Sequence, residues 1–368
     1  MLIGLGHAVL PLPQDFRTQC LLLNGLSQVG PVTVRRLRET FGNDLSAALS
    51  ASANELRKVK GLTEPTIRSL QEKNFDWVKE LSEVEKQGFK IIDETSAEWP
   101  QSLQQLWDPP LVLYVDGHAL PNEKSVAIIG SRHCSPYGTY LAHHFAQELA
   151  KLGWWIVSGM ARGIDFAAHE GALSVGGKTA AILGHGINLT YPPEALTLRK
   201  KIAESGCILA EFPLGRPADR QSFPQRNRLV AGLVKAVIII ETDVDGGSMI
   251  TARFAGDLGK ILLAVPGRID SPTSRGCHQL IRDGATLVGS LDDILSEIGE
   301  QRGQLQISFE QMDPKDSHWL KHFKGGTIHD AESLSVVANC PLADAASALT
   351  LLEIQGKLQR RSDGRHER

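Results

Sequence analysis

Two short stretches set an arginine among residues with little or no side chain: Gly130-Ser131-Arg132 and Ser158-Gly159-Met160-Ala161-Arg162-Gly163. Small residues let backbone amides approach a ligand closely, and the arginine offers a rigid fork of donors that matches a phosphate. A third stretch, Phe223-Pro224-Gln225-Arg226-Asn227-Arg228, places two arginines beside an aromatic ring at the start of a helical pattern. Positive charge at a helix start opposes the macrodipole, a placement that an anionic ligand would compensate. Arginine with an aromatic neighbour is also the composition of a surface for single-stranded nucleic acid. Gly247-Ser248, with Thr251 following, adds amide and hydroxyl donors at another helix start. The chemistry these residues share is the binding of a polyanion.

Other polar residues admit two readings each. Asp165 and His169 stand four apart, so on a helix they share a face as an acid/base pair, or Asp165 caps the helix and His169 orients it. Tyr191 either stacks on a base or packs a Tyr-Pro turn. Glu211, Glu241 and Asp243 end two apolar runs and are the acid/base candidates of an enzymatic reading; Glu241 and Asp243 would repel a bare phosphate unless they cap turns or hold Mg²⁺. Gly267, in Pro266-Gly267-Arg268, belongs to the last of the glycine-bearing loops. The chain has no G-x-G-x-x-G, no Gly-Lys-Ser/Thr phosphate loop and no Cys/His nucleophilic pair, so no catalytic residue, metal ligand or cofactor is assigned.

The elements that must position these residues follow from the apolar pattern. Short apolar runs at 126–129, 155–157, 179–183, 207–210, 237–240 and 261–265 alternate with helical periodicity, which predicts a doubly wound α/β domain with a mostly parallel sheet covered on both faces. In such a sheet, ligands lie beyond the carboxyl ends of the strands, and there the glycine and arginine loops fall. Residues 1–88 read as a small helical domain, residues 89–300 as the α/β domain, with strand-like segments at 90–92 and 111–115, residues 301–326 as a polar linker, and residues 327–368 as a second small helical domain ending in basic residues.

Composition bounds the function. A chain of 368 residues with 42% apolar content suits about two or three buried cores. With 39 basic against 42 acidic residues the net charge is −3, so nucleic acid must be held by a local patch and not by a global field. The five cysteines are scattered without a C-x-x-C pair, which argues for reduced core residues and against zinc or a disulfide framework. The first residues lack a basic n-region and no apolar stretch reaches the ~20 residues of a membrane span, so the expected location is cytoplasmic.

Taken in order, Gly130-Ser131-Arg132, Ser158 to Asp165 with His169, Tyr191-Pro192, Phe223 to Arg228, Gly247 to Ala252 and Pro266-Gly267 closely resemble the DNA-processing protein A family, also called DprA or Smf. The resemblance implies a Rossmann-like domain that binds single-stranded DNA, forms homodimers, protects incoming DNA and loads the RecA recombinase in natural transformation. It further implies DNA contacts from Arg132 and Arg162. Phosphates are then expected on Arg132, Arg162, Arg226 and Arg228, with Asn227 beside them and the glycine amides between. The flanks are similar to helix-hairpin-helix turns, at Leu26 to Gly30 and Val59 to Thr63, and to a winged-helix domain with its second helix at 349–354 and its wing at 357–361. The rival reading is a nucleotide or nucleoside-phosphate hydrolase on the same fold.

Overall fold

The computed structural model describes residues 11–300, 318–354, 357–361 and 365–367. Six helices open the chain: α1 (Phe16–Gly25), α2 (Pro31–Phe41), α3 (Leu45–Ser50), α4 (Ala53–Leu56), α5 (Glu64–Glu72) and α6 (Trp77–Lys86). Their starts are written locally. Asp15 caps α1 by accepting from the Thr18 amide at 3.1 Å, proline opens α2, and Thr63 caps α5. Both helix-hairpin-helix-like turns hold a left-handed residue, Gln28 (φ 61°) in the first and Gly61 (φ 83°) in the second.

A nine-stranded sheet follows: β1 (Lys90–Ile92), β2 (Leu113–Gly117), β3 (Ser125–Gly130), β4 (Trp155–Ser158), β5 (Thr179–Leu183), β6 (Cys207–Ala210), β7 (Ala236–Ile240), β8 (Ile261–Ala264) and β9 (Thr286–Leu287). The order is β1-β2-β6-β5-β4-β3-β7-β8-β9, parallel throughout except that β2 runs antiparallel to both β1 and β6. The six apolar runs all form parallel strands, as the doubly wound pattern requires. The two-residue β9 carries too little pattern to be read from sequence.

Connecting the strands are α7 (Pro136–Lys151), α8 (Ile164–Leu173), α9 (Leu196–Ser205), α10 (Ser222–Gly232), α11 (Gly247–Asp257), α12 (Pro272–Arg282) and α13 (Leu291–Glu297). Successive side chains of a strand point to opposite faces. Val126, Ile128 and Ile238 accordingly pack with Ala142, Ala146 and Ala168 of α7 and α8, while Ala127, Ile129 and Ile239 pack with Leu229, Val230 and Ala252 of α10 and α11. The chain leaves β3 toward β4, β5 and β6, then returns to the other side of β3 as β7. The β3/β7 seam is therefore the topological switch point.

The N-terminal helices are joined to this sheet by a continuous apolar core: Leu21, Leu23, Leu37 and Leu70 belong with Tyr114, Leu183 and Ile208. Polar contacts fix the register of that seam. The Tyr114 hydroxyl donates to Glu80 at 2.8 Å, the Leu214 amide donates to the same carboxylate oxygen at 2.7 Å, and the Asn24 side chain donates to the Glu211 carbonyl at 2.8 Å. The described residues up to Glu300 form one compact unit.

The second unit has its own small core of Leu320, Phe323, Leu334, Ala345, Leu349, Leu352 and Leu358. Two helices, Ala331–Ala338 and Leu342–Ile354, precede a pair of short antiparallel strands, Gln359–Arg360 and His366–Glu367, which is the helix-helix-wing order of a winged-helix module. The second helix begins at Leu342, earlier than the residue-349 start its resemblance suggested. Of the expected linker, residues 301–317 lie outside the described residues; Lys321–Gly326 instead form a 3-10 turn next to the buried Leu320 and Phe323 of the folded unit. Among the described residues no helix is long and apolar enough to cross a membrane.

Candidate nucleic-acid interface

At the switch point a cleft of about 440 Å³ opens beyond the ends of β3, β4 and β7. Its walls are Gly130, Ser131 and Arg132 at the end of β3 and after it, Gly159 and Ala161 from the β4 loop, Asp165 from the first turn of α8, Arg220, Phe223, Arg226 and Asn227 from the approach to and first turns of α10, Thr242 after β7, and Gly247, Ser248 and Thr251 from the start of α11. Most of the predicted binding residues thus converge on one place. Gly130 is required there because a Cβ would collide with the carbonyls of Ile240 and Glu241 across the seam. Gly163 (φ 77°) is the true N-cap of α8, and a Cβ on it would strike the Ser131 carbonyl.

The rim is cationic and aromatic. Arg132 is exposed, and its guanidinium lies 4.9 Å from the Phe223 ring centroid. The Phe223 ring lies 5.9 Å from that of Tyr191, tilted by 43°, and Tyr191 lies edge-on to His185 at 6.5 Å. Tyr191 is 42% exposed and lines the recess beside Phe223. Arg162 stands on the same rim, lining a recess with Arg132, Tyr191 and Phe223, and pairs with Glu194. Arg220, to which the sequence assigns no role, lines the cleft as an exposed cation. Neither Arg132 nor Arg220 has a carboxylate partner among the described residues. On the far wall the Ser248 hydroxyl donates to Thr242 at 2.6 Å, and the first turn of α11 offers the unpaired amides of a helix N-terminus.

The two arginines of α10 do something else. Arg228 is buried and makes a two-pronged contact with Glu211, at 2.7 and 3.1 Å, with Asp108 at 3.3 Å behind it. Burial opposes its charge, but the Glu211 and Asp108 carboxylates together outweigh burial and hold the guanidinium above the ordinary arginine range, while burial pushes the Glu211 carboxyl upward against the pull of Arg228. Arg228 is therefore not a phosphate ligand, and Glu211 is not an acid/base candidate, because each neutralises the other. Arg226 reaches the cleft floor but is 4% exposed, donating to the carbonyls of Gly159 (2.7 Å) and Ile182. Burial pulls its pKa down to about 10. It braces the β4 loop from beneath instead of projecting toward a ligand, and a Cβ at Gly159 would run into it.

Several other sequence expectations are corrected by the same accounting of partners. Ser158 is buried, its hydroxyl donating to the Ile128 carbonyl at 2.7 Å, so it ties β4 to β3 and offers nothing to DNA. Asp165 does not cap α8; it sits in the first turn and accepts from the Gly159 and Ala161 amides at 3.1 and 3.2 Å, closing the loop on itself. Its neighbour His169 makes no acid/base pair with it. The buried His169 Nδ1 meets the Thr179 hydroxyl at 2.6 Å, and since that hydroxyl donates to the Ile156 carbonyl, Nδ1 carries the hydrogen. Burial, then the charge of Arg226, depresses the His169 pKa to about 3.

Glu241 (φ 52°) turns back to the start of α7, accepting from the Ser135 amide at 2.7 Å and from the Ser135 hydroxyl. Ser135 is the N-cap of α7, so the Glu241 carboxylate holds that cap in place at the start of the helix, where the dipole favours negative charge. Asp243 accepts from the Val244 amide at 2.8 Å within its own turn. Thr251 lines the cleft but is buried, and Gly267 lies outside it, in a neighbouring depression, where a Cβ would meet Ser274. No cluster of three or more His, Cys, Asp or Glu among the described residues is placed to hold a metal ion.

Comparison with known proteins agrees with this architecture. The family described as DNA recombination-mediator protein A matches residues 90–299. Protein Smf of Escherichia coli is 39% identical over 276 residues, covering 74% of this chain and 70% of the relative, and DNA processing protein DprA of Streptococcus pneumoniae is 39% identical over 210 residues, covering 57% and 73%. The X-ray structure of DNA processing protein A from Streptococcus pneumoniae superposes with a TM-score of 0.66 at 31% identity, over 78% of this chain and 99% of that one. DNA processing protein A from Helicobacter pylori, whose structure concerns its single-stranded DNA binding mode, superposes with a TM-score of 0.51 at 33% identity, over 56% and 94%. With the fold, the loop order and these relatives in agreement, the chain belongs to the DNA recombination-mediator protein A family, DprA/Smf.

Proposed function

We propose that this protein binds single-stranded DNA in the switch-point cleft, without catalysis, and as a homodimer in the cytoplasm protects incoming strands and loads RecA onto them during natural transformation. One observation carries the ligand class: Arg132, exposed and without a carboxylate partner among the described residues, lies over Phe223 beside the partly exposed ring of Tyr191. A phosphate contact and a stacking surface side by side fit a strand with unpaired bases, whereas a duplex presents phosphates but hides the faces of its bases. Arg162, Arg220 and the amides at the start of α11 extend the phosphate track, and Asn227 flanks it. None of these groups is arranged to read base edges, so sequence preference should be weak.

The hydrolase reading draws no support from its own candidates. Glu211 is neutralised by Arg228, and Glu241 holds the N-cap of α7. The test is fluorescence anisotropy of a labelled oligo-dT against the matched duplex over a salt series. Three arginine contacts predict a slope of log K against log salt near about −2 for the single strand, with weaker duplex binding. Equal or tighter binding of the duplex would overturn the reading.

A further inference from the structure

We propose that Glu194 is a built-in competitor for the strand: its carboxylate occupies Arg162 in the free protein and is exchanged for a DNA phosphate on binding. This rests on the reading of the cleft as a single-strand site. The three rim arginines are not equivalent. Arg132 and Arg220 are without carboxylate partners among the described residues, while the Arg162 guanidinium is paired through Nε with Glu194. Both partners remain about half exposed, at 53% and 49%, so the contact is open to exchange and is not locked in the core.

The placement of Glu194 makes the exchange specific. It lies in the segment just after Tyr191, so the loop that presents a stacking ring to the recess also carries the acid that occupies the recess's arginine. A nucleotide whose base stacks on Tyr191 brings its phosphate to the side where Glu194 now sits. Displaced, Glu194 is not stranded: it stays in water, just ahead of the first turn of α9, where the helix dipole favours a negative charge. The free protein thus keeps Arg162 oriented and neutralised. As a strand leaves, the carboxylate returns and prevents the phosphate from rebinding, which suits a protein that must hand its strand on.

The test is a double-mutant cycle on oligo-dT binding with Arg162→Ala and Glu194→Gln. Loss of an exposed ion pair sets the scale: Glu194→Gln should tighten binding about two- to fivefold. The gain should come mainly through slower dissociation, with a steeper salt dependence and only a slightly lowered thermal midpoint. In the Arg162→Ala background the same substitution should have no effect. The proposal is overturned if Glu194→Gln leaves affinity unchanged, weakens it, or helps equally without Arg162, which would be a general charge effect. It is also overturned, with the cleft reading intact, if the native protein binds oligo-dT and Arg162→Ala does not weaken it. Failure of the native protein to bind oligo-dT at all would instead reject the cleft reading. Glu194→Ala removes the same charge and repeats the test should the amide variant fold poorly.

Discussion

The arginines at the rim of the cleft and those of α10 are the same residue type within one domain, yet their surroundings give them opposite duties. Arg132 and Arg220 keep their donors in water, and Arg162 holds only a solvent-exposed acid. Arg226 and Arg228 are almost fully buried, Arg226 donating from Nη1 to two carbonyls and Arg228 donating to Glu211. A guanidinium in water can exchange partners at little cost, whereas one removed from water is committed to whatever replaced its hydration. What separates a binding arginine from a structural one is therefore the exposure of its terminal nitrogens, and not its distance from the cleft.

The sharpest way to break this contrast is to delete the buried partner. Arg228→Ala leaves Glu211 buried and uncompensated, so unfolding free energy should fall by about 3–5 kcal/mol in a denaturant titration. The fraction that stays folded should bind oligo-dT within about twofold of the native protein. Replacing both residues, Arg228→Met with Glu211→Leu, should recover most of the loss. A large loss of affinity in folded Arg228→Ala protein would erase the distinction.

Arg132→Ala tests the other side. Loss of a charge-assisted contact to phosphate corresponds to roughly 1.5–3 kcal/mol, or about ten- to a hundredfold in affinity. Stability should change by no more than about 0.5 kcal/mol, because no described carboxylate loses its partner. Circular dichroism melts beside the anisotropy titration separate the two effects, and a marked drop in melting temperature would place Arg132 with the buried pair.

A smaller effect concerns acid. His169 is held neutral by burial and by the charge of Arg226, with a pKa of about 3 against about 6.5 in an unfolded chain. The sign follows from proton uptake. Above pH 6.5 neither state binds the proton and the full stability is present; between 6.5 and 3 the unfolded state alone binds it, so stability falls as pH falls. This one group should remove roughly 2 kcal/mol by pH 5, measured as a pH series of denaturant midpoints. In His169→Gln that part of the slope should disappear. Its persistence would mean that groups other than His169 set the slope and that His169 is not held neutral in the folded protein.

How much of this was legible beforehand depends on the range of each interaction. The parallel strands were readable because the signal is contained within each run: 126–129 and 237–240 are continuous apolar stretches, and both are buried on two faces. The position of Arg132 was readable for a similar reason, since a residue just past a strand end in a parallel sheet faces the ligand side. The roles of Arg226 and Arg228 were not. Their composition looks like a binding surface, and the partners that withdraw them, Gly159, Ile182 and Glu211, come from other strands. Glu241 holds the cap of a helix that begins a hundred residues earlier, so its purpose has no local signature at all. Arg220 was missed for the converse reason, as nothing nearby in sequence distinguishes it from a solvated surface arginine.

The seam between the N-terminal helices and the sheet has a practical consequence for dissection. Cutting the chain after Gly88 would strip Leu21, Leu23, Leu37 and Leu70 from Tyr114, Leu183 and Ile208, and would remove Glu80 from both the Tyr114 hydroxyl and the Leu214 amide. The fragment would display a broad greasy surface at one side of the sheet, close to the strand end where Arg228 meets Glu211. Its failure to hold DNA would report a damaged scaffold and would not assign a DNA contact to the helices. A point change at the exposed Lys60, in the turn between α4 and α5, leaves the seam intact and answers the question that truncation confuses.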